Sequence, residues 1–151
     1  MAKDNFDTTD WEIVDLLAKD GRISAKAIAK NLSLAEATVR KRLVRLVNSG
    51  KLKISGLINP DTFEDRIVAL VALEVKEAAS LDRIGQEISA LPSVKNVAIV
   101  SGRYDFIVEI LVASNKGIIN FLRDELSSVA GLGKTETFLI LKSFNKWIIP
   151  D

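Results

Sequence analysis

The stretch AEATVRKRLVRLVNSGKLK, residues 35–53, holds six basic residues and one acidic one in a chain whose formal net charge is only +1. Net charge is −4 over residues 1–21, +8 over 22–53 and −3 over 54–151. A dense basic block inside an otherwise acidic chain is an electrostatic footprint for a polyanion; a solvated helix face is the plainer use of such a run. Other chemistry is narrower. With no cysteine and no histidine, disulfides, Cys/His zinc sites, thiol nucleophiles and histidine triads are excluded. Carboxylate hydrolysis and an all-oxygen metal site stay open, with Asp105 and Glu109 as the candidate groups. Alternation puts both on the strand face of Ile107, with no convergent base or metal cluster beside them. No enzyme is therefore expected, and no catalytic residue, metal ligand or cofactor.

The basic block needs a rigid element to present it. Thr9 and Glu12 have capping-box spacing, and Ile13, Val14, Leu16 and Leu17 recur at helical period until Gly21. Ser24 can cap a short second helix with Ala25, Ile28, Ala29 and Leu32 inward. After a tight turn at Ser33-Leu34, a third helix is expected over residues 35–49, stopped by Gly50. That order is a helix-turn-helix. On a wheel, Val39, Leu43, Leu46 and Val47 form the buried stripe. Ala37, Thr38, Lys41 and Arg45 face outward, with Arg40 and Arg42 on the flanks. Small residues backed by cations suit a helix that approaches base edges in the major groove while Lys and Arg hold phosphates. Residues 51–58 read as a strand that begins a wing, broken at Asn59-Pro60-Asp61.

The remainder reads as strand, helix, strand, strand, helix, strand. The strands are 67–75, 94–100, 104–112 and 135–141. The helices are marked by Leu81, Ile84, Ile88 and Leu91, and by Ile118, Phe121, Leu122, Leu126 and Val129. The order βαββαβ is the ferredoxin-like arrangement, giving an α+β class overall. Its helices cover one sheet face, so the apolar residues on the other predict a homodimer.

With these elements in place, the chain resembles the Lrp/AsnC (leucine-responsive/asparagine regulator) family of prokaryotic transcription regulators over nearly its whole length. The resemblance rests on Asp10-Trp11-Glu12-Ile13-Val14, Gly21-Arg22-Ile23-Ser24 and Thr38-Val39-Arg40-Lys41-Arg42-Leu43 with Leu46 and Gly50. Ile58-Asn59-Pro60, Ser101-Gly102-Arg103-Tyr104-Asp105-Phe106 and Thr135-Glu136-Thr137 complete it. It implies an N-terminal domain that binds double-stranded DNA and a C-terminal domain that dimerises, often assembling further to octamers. It also implies a small effector, usually an amino acid. Carried over, the effector loop is Ser101, Gly102, Arg103, Tyr104 and Asp105, with Thr135, Glu136 and Thr137 as partners. From the residues alone, the Gly102 segment reads as a hairpin, and Tyr104 and Phe106 as packing residues. Two departures stand out. Arg103 replaces a frequent acidic residue, which favours a carboxylate or a pairing with Asp105. Ala35-Glu36 replaces a frequent Ser-Pro, which leaves the third helix without its cap.

The expected division is a winged helix-turn-helix domain over residues 1–58, a linker over 59–66, and a ferredoxin-like dimerisation and effector domain over 67–151. The leading function is a sequence-specific transcription regulator modulated by an amino acid or related metabolite; an architectural DNA-wrapping protein is the alternative. No apolar run approaches the roughly 18–20 residues of a membrane span, and the acidic N-terminus lacks a signal-peptide pattern. A cytoplasmic, nucleoid-associated protein is expected.

Overall fold

The computed structural model describes residues 6–76 and 80–150. The chain divides into two compact units, residues 1–56 and 57–151.

The first unit is built on α1 (Thr8–Lys19), α2 (Ala25–Leu32) and α3 (Glu36–Asn48). The cap of α1 is not Thr9 with Glu12. Asp7 is the N-cap: its carboxylate accepts the Asp10 N–H at 2.8 Å, and the Asp10 carboxylate accepts the Asp7 N–H at 3.2 Å. A carboxylate at each end of the box favours this register, because both complement the helix dipole. Ser24 Oγ accepts from Ala27 N at 3.1 Å and starts α2, while Ser33, at φ 54°, turns the chain toward α3. Ala35 offers no capping side chain to α3. Gly50, at φ 70°, closes that helix in a left-handed conformation. Ile13, Ile28, Ala29 and Val39 form the core of the unit, ringed by half-buried Leu16, Leu17, Ile23 and Leu43. Val47, expected in the buried stripe, is exposed. It stands about 80° from Val39 around the helix, beyond the apolar contacts of the unit.

Residues 51–57 form no strand. Leu52 and Ile54 instead lie alongside Val14, Leu17 and Ala18 of α1, lining an apolar groove of about 230 Å³. Only Ile58 pairs, with Ile148, through bonds of 2.8 and 3.0 Å. Without a second strand beside it, the segment has nothing to complete a ladder.

In the second unit, Asn59 caps a single 3-10 turn, Pro60–Thr62, whose proline is buried. Then come β1 (Ile67–Val75), α4 (Leu81–Ser89), β2 (Val94–Ile99), β3 (Phe106–Val112), α5 (Ser114–Asn120) and β4 (Leu132–Leu139). The sheet order is β2-β3-β1-β4, antiparallel throughout. Tyr104 and Asp105 precede β3 rather than joining it. β4 begins three residues earlier than the expected Thr135 and ends two before Leu141. Gly133 permits this start: a Cβ there would stand 3.2 Å from the Glu74 carbonyl oxygen. Beyond α5 the chain widens into a π turn, Phe121–Glu125, and tightens into a 3-10 turn, Leu126–Ser128.

One sheet face carries Ala69, Val71, Leu73, Phe106, Val108 and Ile110 into a core with Ile84, Ile88, Ile118 and Phe121. Alternation puts Leu70, Ala72, Ile107, Glu109 and Leu111 on the other face. At one end of that face Val68, Leu111 and Ile148 are buried together, with Ile58, Phe63 and Ile140 packed around them.

Candidate nucleic-acid interface and effector loop

The α3 residues expected at DNA do not form one uniform cationic face. Ala37, Thr38, Arg40 and Lys41 are exposed. Arg40 bonds Glu36 one turn earlier, through Nε at 2.8 Å and Nη2 at 2.6 Å. Arg42 and Arg45 turn toward α1. Arg42 Nη1 donates to Asp7 at 2.6 Å and to Asp10 at 2.8 Å, and Arg45 Nη2 donates to the other oxygen of Asp10. Thr38, Lys41, Arg42 and Arg45 thus line a groove of about 540 Å³ whose rim includes Asp7.

Asp10 is the one fully buried charged side chain among the described residues. Burial raises its pKa, but the hydrogen bonds from Arg42, the Asp7 N–H and Arg45 outweigh it and hold the carboxyl below 3.8. The bond from Arg42 lowers Asp7 likewise. The sequence carried a signal for Asp10: it shares the α1 stripe with Ile13 and Leu17, and a charge on an apolar stripe needs a partner. Val44 was also missed. It lies about 140° around α3 from buried Val39, next to Ala37 and Lys41, and is 59% exposed.

In the second unit, the structure joins three of the eight effector candidates. Tyr104 Oη donates to Glu136, which raises the phenol pKa. The Arg103 guanidinium carbon lies 5.2 Å from the centre of the Tyr104 ring. Arg103 thus stacks on Tyr104. Asp105 instead accepts the Val75 N–H at 2.7 Å and donates its own N–H to Leu73 at 2.8 Å. Ser101 and Gly102 are exposed, with Gly102 at φ 145°. Thr135 and Thr137 lie opposite Leu73 and Val71 in the β4–β1 register and share their helix-covered face. Glu136 faces the other way. Phe106 is a fully buried core residue.

A helix-turn-helix unit followed by a ferredoxin-like α+β unit is the architecture of a DNA-binding protein with a second domain. Residues 6–47 match the AsnC-type helix-turn-helix domain and residues 67–146 the Lrp/AsnC ligand binding domain. The chain belongs to the Lrp/AsnC family, whose members are DNA-binding transcription regulators. It is 34% identical over 146 residues to an uncharacterised HTH-type transcriptional regulator of Pyrococcus abyssi, covering 96% of this chain and 91% of that one. The leucine response regulatory protein of Mycobacterium tuberculosis superposes with a TM-score of 0.78 at 25% identity, over 93% of this chain and 96% of that one. A feast or famine regulatory protein of M. tuberculosis, solved with L-methionine, gives 0.73 at 24%, over 94% and 96%.

Proposed function

We propose that this chain is a sequence-specific transcription regulator that binds double-stranded DNA through α3, pairs through its second unit, and answers to an amino acid or related metabolite. The outward face of α3, where Ala37, Thr38, Lys41 and Val44 stand clear of the core, is the observation that carries the reading. Arg40, Arg42 and Arg45 supply cations on the flanks. Self-association is favoured by the helix-free sheet face and the chain beyond it, where Leu141 is 93% and Phe144 83% exposed. Monomers rarely leave a large contiguous apolar patch in water. Arg103 and Glu136 bring opposite charges to one place, which suits a zwitterion, and L-methionine in the related feast or famine protein is of that class.

Selection of duplexes from a random pool, followed by footprinting, tests the DNA reading. A short protected site with a defined sequence supports it. Long periodic protection with weak preference favours DNA wrapping, and no selected duplex refutes binding altogether. Thermal shift against the twenty amino acids tests the effector, since a ligand that binds the folded state raises the melting temperature. Sedimentation at micromolar concentration tests pairing; a monodisperse monomer contradicts it.

A further inference from the structure

We propose that Asp10 is a positioning residue for DNA recognition, a buried carboxylate that holds the Arg42 and Arg45 guanidinium groups in fixed orientation along the groove beside Thr38 and Lys41. The inference rests on the DNA-binding reading above and adds a residue that no DNA atom reaches.

The geometry has three parts. Asp10 is fully buried, so its orientation is set by packing under α1. Each of its oxygens takes a different arginine, Oδ1 from Arg42 and Oδ2 from Arg45, from successive turns of α3. Both arginine side chains remain partly open, at 27% and 38% exposure, and line the groove with Thr38 and Lys41. Arg42 reaches both Asp7 and Asp10 through one nitrogen, Nη1. A guanidinium is a rigid fork with five donors, so fixing one edge fixes the direction of the other. An arginine held this way loses little rotamer freedom on meeting a phosphate, and preorganisation of that kind favours one register over others.

Asp10→Asn keeps the size of the side chain and removes the charge that aligns both arginines. The probes are a duplex selected by the wild-type protein and a random-sequence duplex of equal length, each titrated across salt concentrations. Positioning predicts that Asp10→Asn binds the selected duplex roughly tenfold more weakly, because an alignment worth about one charged hydrogen bond is lost. Random-duplex affinity and the salt slope stay near wild type, since the number of cations is unchanged. Arg42→Lys is the second variant. It keeps the charge but loses the fork, and should reproduce the weaker selected-duplex binding with the same slope, even if Asp10→Asn fails to fold.

Two outcomes overturn the proposal. If selected-duplex affinity is unchanged in folded Asp10→Asn or in Arg42→Lys, the pairing serves stability alone. If random-duplex affinity rises and the slope steepens in Asp10→Asn, Asp10 instead competes with phosphate for the arginines. Failure of the wild-type protein to bind any duplex overturns the regulator reading itself and is seen before either variant is made.

Discussion

Lys146 Nζ lies 2.6 Å from Glu109 Oε2, tying the chain beyond β4 to the middle of β3 on the sheet face that carries no helix. The side chains are only 27% and 14% exposed, so this is not a freely solvated surface pair. Removing the lysine leaves a carboxylate largely desolvated without its cation. Lys146→Ala should therefore lower stability by about 1–3 kcal/mol, read by urea unfolding. The same variant should shift the association equilibrium in sedimentation if the face is a subunit boundary. Equal stability in the variant would show that water replaces the lysine at no cost.

Lys41 and Val44 stand side by side on α3 and should fail differently. Lys41→Ala should weaken DNA binding by about 1–3 kcal/mol if the ammonium reads a base edge. If it touches only phosphate, the salt slope should flatten by about 0.9 instead. Val44→Ala removes apolar surface that can meet a thymine methyl. It should cost about 1 kcal/mol at a single base position and leave the slope alone. Binding curves on single-base variants of a selected duplex separate the two. Identical profiles for both mutants would put the DNA on another face of the helix.

Acid should reach the first unit through the α1 cap. In the unfolded chain Asp7 and Asp10 titrate near 3.8, and in the folded unit both lie lower. As pH falls, the unfolded chain takes up these protons first. The stabilisation is thus complete above 3.8 and disappears as pH drops through the folded-state values. Helical signal followed against pH should show this loss in the wild type and a shallower dependence in Asp10→Asn. Superimposable curves would remove Asp10 from the account of acid stability.

For the effector loop, Arg103→Ala should reduce affinity for whichever amino acid stabilises the wild type by roughly ten- to a hundredfold, the loss of one charged, bidentate contact. Calorimetry measures it directly. Tyr104→Phe frees Glu136 from its phenol partner, so it should alter ligand affinity without removing a charge. Unchanged affinity in Arg103→Ala would move the pocket toward Thr135 and Thr137.

The parts of this architecture governed by period and punctuation were legible in the sequence. β1 was read with the observed bounds, because nine residues rich in Val, Leu and Ala between polar segments leave little choice of register. Ser24 and Gly50 marked helix ends for reasons local to each residue. What escaped depended on partners distant in the chain. Asp10 and Arg42 are 32 residues apart, and no local pattern couples them, so arginines read as phosphate clamps are also ion-paired within the unit. Residues 51–57 had the alternation of a strand but no neighbour to pair with, and pairing is decided by the fold. The loop at Gly102 was visible as a turn, while the contact between Tyr104 and Glu136 required β4 to lie beside β1.

The π turn at Phe121–Glu125 has a consequence for how this chain tolerates changes in length. Leu126 N–H bonds Phe121 O, five residues back, where an ordinary α-helix would close over four. On an uninterrupted α-helix Leu126 would sit about 140° around from Phe121, off the sheet. The wider turn instead returns Leu126 to the core beside Phe121 and Val129, leaving Arg123 and Asp124 paired with each other on the outside. The segment thus holds one residue of slack. Loss of a residue there could be absorbed by closing an ordinary turn, whereas a one-residue loss in β1 would send every following side chain to the opposite face.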